Sequence, residues 1–194
     1  MKVASCFARC GFDPIDTGMR AKTAELVDWR TVERSAVVSE DDRYRYRLER
    51  WWRRDDSRLV FCMLNPSTAD AERDDRTVRK CCGFAVRHGY GGIVIVNLFA
   101  YRAIDPADLK IAFEAGDPVQ GPLNMNYLRA AFVARPVVLA WGHNGASIAP
   151  AHCAAIITMA KVEAEQVLVL KWLASGVPAH PLHLPYSCRL MAYP

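Results

Sequence analysis

Four short apolar runs, each ending in polar or aromatic residues, constrain this chain more than any other feature. Residues 59–64 run into Asn65-Pro66-Ser67-Thr68-Ala69-Asp70, 93–96 into Asn97-Leu98-Phe99, 137–140 into Trp141-Gly142, and 167–170 into Lys171-Trp172. A continuous apolar run of this length reads as a parallel strand buried on both faces, and open α/β sheets hold ligands beyond the carboxyl ends of such strands. The four ends therefore predict one composite site on one edge of one sheet.

Between the runs lie helical signals. Asp74-Asp75-Arg76-Thr77 starts a helix whose apolar stripe is Val78, Cys81, Cys82 and Ala85, and Gly89-Tyr90-Gly91-Gly92 ends it. A short helix follows Pro106, another spans about 124–134 and stops before Pro136, and a third spans 149–164. Strands alternating with helices predict an α/β fold, a three-layer α/β/α sandwich around a mostly parallel four-stranded sheet. Residues 176–194, with Pro178, Pro181 and Pro185, read as loop.

The chain has 194 residues, 52% of them hydrophobic, which suits one full core and is short for two. A poorly patterned arm is expected over 1–40, with a candidate helix from Met19 to Val32, packed on a single domain over 41–194. No run reaches the roughly 18 apolar residues of a membrane span, and no secretory signal is visible, so a cytoplasmic protein is expected; a monomer is expected as well. The seven cysteines form no repeated pair and read as free thiols; Cys6-x3-Cys10 is at most half a metal site, and no metal or organic cofactor is signalled.

The net charge of +4 is modest, but six arginines between Arg43 and Arg54 interleave with Tyr44, Tyr46, Trp51 and Trp52. Strand alternation puts arginines on one face and aromatics on the other. Two readings stand: a hairpin or edge strand with a solvated basic face, or a phosphate-contacting surface.

In order, Leu64-Asn65-Pro66, Val96-Asn97-Leu98-Phe99, Leu139-Ala140-Trp141-Gly142 and His180-Pro181-Leu182-His183-Leu184 resemble the signature elements of the uracil-DNA glycosylase superfamily. The longer words MLNPSTAD, DDRTVRKC, GYGGIVIVNLFAYRAIDP, VVLAWG and HPLHL resemble a bacterial and phage domain family of formerly unknown function. The superfamily resemblance implies its fold and a monofunctional glycosylase that flips a base from double-stranded DNA and leaves an abasic site.

It also implies roles for residues of this sequence. Asn65 matches the water-directing position and, being an amide, orients water without deprotonating it. Asp70, with Asp74 and Asp75 as alternatives, is the candidate carboxylate for the sugar cation, helix capping being the plainer reading of all three. Asn97 reads the flipped base; Phe99 or Tyr101 stacks on it; Pro66 and Ser67 border its pocket. His180 hydrogen-bonds the departing base. Leu184 is the apolar wedge; Arg102 and His183 are candidate DNA contacts, and Ser187, Lys171 and Arg189 are further ones because Leu182 stands where the superfamily has a phosphate-binding serine. An alternative for Arg102 is an ion pair with Asp105. The small residues Ser67, Thr68 and Ala69 suggest room for a large base, such as the glucosylated hydroxymethylcytosine of phage DNA, and hence anti-phage defence. Two alternatives are a uracil or mismatch repair glycosylase and a non-catalytic nucleic-acid-binding module. A hydrolase of free nucleotides is disfavoured, since no Gly-rich phosphate loop precedes a helix.

Overall fold

The computed structural model describes the backbone of residues 2–6 and, with side chains, residues 27–54 and 57–194. The four apolar runs form β4 (Arg58–Met63), β5 (Gly92–Asn97), β6 (Pro136–Leu139) and β7 (Gln166–Val169). They lie side by side in the order β5-β4-β6-β7, every neighbour parallel. Burial on both faces explains their lack of alternation: Leu59, Val60, Phe61 and Cys62 are all fully covered.

The expected four-stranded, mostly parallel sheet is corrected by what flanks this centre. Among the described residues the sheet has eight strands and is mixed, in the order β1-β2-β3-β5-β4-β6-β7-β8. β1 (Lys2–Cys6), β2 (Glu33–Val38) and β3 (Arg45–Trp51) add antiparallel on one side and β8 (Met191–Ala192) on the other. Thus β1 and β2, within residues 1–40, are strands of the same sheet, and the expected C-terminal loop contains β8 and a 3-10 turn at Pro181–His183. The candidate helix from Met19 lies outside the described residues up to residue 26; its last residues, 27–32, are turn and irregular backbone. The half metal site at Cys6 and Cys10 also lies outside what the side chains describe.

Helices cover both faces. On one, α1 (Arg76–Arg87) packs Val78, Cys81, Phe84 and Ala85 against Leu59, Phe61 and Ile95. Its start is set by the Asp75 carboxylate, which accepts from the Val78 N–H at 2.8 Å. On the other face, α2 (Pro106–Glu114), α3 (Asn124–Phe132) and α5 (Pro150–Glu163) bring Leu109, Phe132 and Ile156 onto Val94, Val96 and Leu139. A short α4 (His143–Ile148) precedes α5; Gly145 within it and Gly142 just before it hid it from the helical pattern. No helix among the described residues is long and apolar enough to cross a membrane.

The arginine-rich segment differs most from expectation. β3 is an interior strand, hydrogen-bonded to β2 and β5, so it is no edge. Its register slips opposite Val37 and Val38, a bulge that breaks the two-residue alternation. Tyr46 consequently stacks on Tyr127 of α3, whereas Leu48 joins the α1-side core. Arg45 and Arg50 are 2% and 1% exposed, so the expected solvated basic face is absent from these two side chains.

The segment after β7 folds across the α1 face. Tyr186 meets Phe84 edge-on at 5.1 Å, and its ring is flanked by Lys80 Nζ at 3.9 Å and Arg87 Cζ at 3.8 Å. Each cation–π contact contributes about 0.5–1 kcal/mol. Together they hold the strap that carries His180.

Candidate active site

A cavity of about 730 Å³ opens at the carboxyl ends of β4, β6 and β7 and at the amino end of α1. This is where the strand-end reading put the site. Backbone bonds stitch its rim: Leu98 N donates to Met63 O at 2.8 Å, Ala103 N to Pro66 O at 3.0 Å, and Gly142 N to Pro178 O at 2.9 Å.

Asn65 forms one wall. Its Nδ2 donates to the carbonyls of Pro66 at 3.0 Å and Ala103 at 2.9 Å, which fixes the amide and leaves Oδ1 as the atom to accept from water or ligand. His180 forms another. The Leu182 N–H donates to its Nδ1 at 3.4 Å, which assigns the ring proton to Nε2 and leaves Nε2–H as a donor. Burial, helped by neighbouring His183, holds the imidazole neutral and lowers its pKa to about 4. Ser67, His183, Leu184 and, of the alternative carboxylates, Asp75 also line the cavity.

Gly142 supports this arrangement. Its φ of 72° and ψ of −168° fall in a region open essentially to glycine alone, and a Cβ there would lie 3.5 Å from His180 Cβ. Gly142→Ala is expected to cost about 1–3 kcal/mol in strain, read as a lowered urea midpoint. An unchanged midpoint would show that the turn relaxes freely.

Other predicted residues lie elsewhere. Asp70 is not in the cavity: its Oδ1 accepts from the backbone N–H groups of Glu72 and Arg73, both at 2.8 Å, so it closes a turn. Asp75 lines the cavity in its place while capping α1. Asn97 is 1% exposed and stands behind Arg45, whose Nη2 donates to its Oδ1 at 3.4 Å. Phe99 is fully buried against Phe113 and His152, in the core rather than the cavity. Tyr101 packs edge-on against Tyr44, with the Arg43 guanidinium 5.5 Å from its ring centroid. Pro66 is buried behind Asn65. Leu184 is 7% exposed and part of the α1-side core, so it does not project as a wedge. Arg102 makes no ion pair with Asp105; it reaches the Asp42 carbonyl at 3.4 Å, while Asp105 caps α2. Lys171, Ser187 and Arg189 are exposed and outside the cavity.

Sequence reasoning missed several wall residues. Arg45, on a strand read as surface, lines the cavity as a buried guanidinium. Ile104 is 77% exposed at the rim, a feature no local pattern announces. Trp141 stood at the end of an apolar run and in a motif without an assigned role, and His143 carried no signal. No thiol among the described residues lines the cavity, and burial pushes Cys81 and Cys82 well up.

The cavity therefore offers a fixed acceptor, a neutral donor, a carboxylate and a cation in one space, a set suited to binding a polar ligand. No curated protein and no solved structure matches the chain. A family model described as "Protein of unknown function (DUF1643)" matches residues 45–182, a span that runs from β3 into the strap as far as Leu182 and includes nearly every cavity wall. The chain belongs to the DUF1643 family.

Proposed function

We propose that this cavity hydrolyses the N-glycosidic bond of a base flipped out of double-stranded DNA, leaving an abasic site. The observation that carries this reading is the pairing, in one cavity, of a neutral His180 with Nε2–H to give and an Asn65 Oδ1 free to accept. The bond breaks through a cationic sugar and an anionic base. His180 donates to the base carbonyl oxygen as charge grows there. Asn65 orients the attacking water, and Asp75 rather than Asp70 faces the sugar cation. An amide takes no proton, so the water attacks a cation already formed, which favours bases that leave readily.

The cavity volume lies within the roughly 300–1,000 Å³ of ligand sites, and Ser67 keeps one wall small. A hypermodified base such as glucosylated hydroxymethylcytosine is the proposed substrate, with anti-phage defence as its use. Arg76, His143 and His183 are exposed at the rim and supply donors for phosphate. Ile104, exposed beside them, takes over from Leu184 as the apolar residue to fill the gap left by the base.

The test is incubation with duplexes carrying uracil, mismatched thymine, hydroxymethylcytosine or its glucosylated form, followed by alkali to cleave abasic sites. Cleavage of one member supports the reading and names the base; no cleavage in any, with duplex still bound, leaves a binding module. On the substrate so found, Asn65→Ala is expected to lower the single-turnover rate about 100-fold through loss of water positioning. An unchanged rate removes Asn65 from the mechanism.

A further inference from the structure

Arg45 is the least compensated charge around the cavity. Its side chain is buried on the cavity wall, and its Nη1 and Nη2 donate only to neutral oxygens, Ala69 O at 2.8 Å and Asn97 Oδ1 at 3.4 Å. Its Nε has no partner among the described residues, and neither has Nδ2 of the adjoining Asn97. The nearby carboxylates of Asp75 and Asp70 act on it through space without accepting a hydrogen bond, and Arg50 and Arg102 oppose them. Arg34 and Arg50, equally buried, share the Asp74 carboxylate; Arg45 has no such counterion. Buried charges are ordinarily paired, because an unpaired one forfeits its hydration with nothing in return.

A buried cation on the cavity wall with an unpartnered Nε calls for an acceptor with negative charge. The geometry points to Arg45 as an anion-recognition residue whose guanidinium binds the deprotonated form of a heterocyclic base in this cavity. The identity of that anion rests on the glycosidase reading. In that hydrolysis the C–N bond breaks and its electron pair leaves on the base; water forms the new C–O bond, and the proton it sheds ends on the base. Between these events the base is an anion. His180, being neutral, offers it a hydrogen bond but no charge, whereas Arg45 supplies the charge. Planar guanidinium and planar heterocycle also suit a two-point contact that a lysine ammonium cannot reproduce.

The experiment titrates the full chain with two free pyrimidines, barbiturate, an anion at neutral pH, and uracil, which is neutral there. Wild type is expected to bind barbiturate at least tenfold more tightly, and Arg45→Met to lose that preference while circular dichroism stays native. Arg45→Lys, which keeps the charge, guards against misfolding of the methionine variant; it is expected to weaken barbiturate severalfold and leave uracil unchanged. Equal affinity for the two pyrimidines in wild type, or a preference that survives in both variants, overturns the proposal and leaves ordered water as the partner of Nε. The failure of the glycosidase reading looks different: no excision from any duplex, with the barbiturate preference present and abolished by Arg45→Met. On a duplex that is cut, Arg45→Met should slow release of uracil more than that of 5-fluorouracil, whose anion is more stable. An equal loss on both bases counts against charge recognition by Arg45.

Discussion

Asp74→Ala is expected to destabilise the protein by about 3–5 kcal/mol, measured by urea unfolding at neutral pH. Asp74 accepts from Arg34 Nη1 and Arg50 Nε, both at 2.8 Å, and the three side chains are 7%, 1% and 1% exposed. Removing the carboxylate leaves two guanidinium groups buried and close together without a counterion. Breaking such a network from one side costs far more than the net value of its bonds, because the groups left behind keep their desolvation penalty. Asp74→Asn keeps the shape and loses the charge, so it should be nearly as damaging. A loss below about 1 kcal/mol for both variants would mean that water or another anion reaches the arginines. The network also shapes the site, since Arg50 Nη2 donates to the Asp70 carbonyl and so ties the turn that leads from Ser67 to Asp75 onto β3.

This network shows where the sequence was legible and where it was not. β4, β5, β6 and β7 announce themselves because strands buried on both faces must be apolar at every position. α1 was legible because Asp75 caps it and Gly89 follows it, both local signals. β3 was not, because its arginines look like a surface until Asp74 is brought to them. The Arg34–Asp74 bond joins residues 40 apart in sequence, beyond any local window. β8 has two residues, too few for a pattern.

The same distinction divides the site. Asn65 and Ser67 follow from position just beyond a strand end and His180 from the resemblance carried by its loop, and all three line the cavity. Asn97 and Phe99 also stand at a strand end, yet one lies behind Arg45 and the other is core. Strand-end position fixes which residues come near the cavity, while the path of the chain just beyond the strand decides which side chains form its wall. Asp70 and Asp75 are five residues apart and both bind backbone N–H groups, one closing a turn and the other opening α1. Only the placement of α1 against β4 decides which of them faces ligand.

His180→Ala is expected to lower turnover about 10²- to 10³-fold with the fold intact, the usual loss when one donor to a developing anion is removed. The pH dependence distinguishes this role from acid catalysis. Burial lowers the His180 pKa from 6.5 to about 4, so the ring is neutral, and Nε2–H present, throughout the physiological range. The contribution of His180 to the rate should therefore be constant between about pH 5 and 8. An acid limb near the ordinary histidine pKa that disappears in His180→Ala would instead make the imidazolium the active form. The depressed pKa has a second consequence, for stability. The unfolded chain binds a proton at His180 near 6.5, the folded chain only near 4, so acidification favours the unfolded state across that interval. Stability tied to this residue is fully present above about pH 6.5 and is lost as the pH falls towards 4, by up to about 3 kcal/mol. His180→Gln, which cannot titrate, should lose less stability than wild type between pH 7 and about pH 4.5. Parallel stability curves for the two proteins would mean that His180 is solvated in solution, and a solvated imidazole would carry a charge into the cavity that the proposed chemistry does not use.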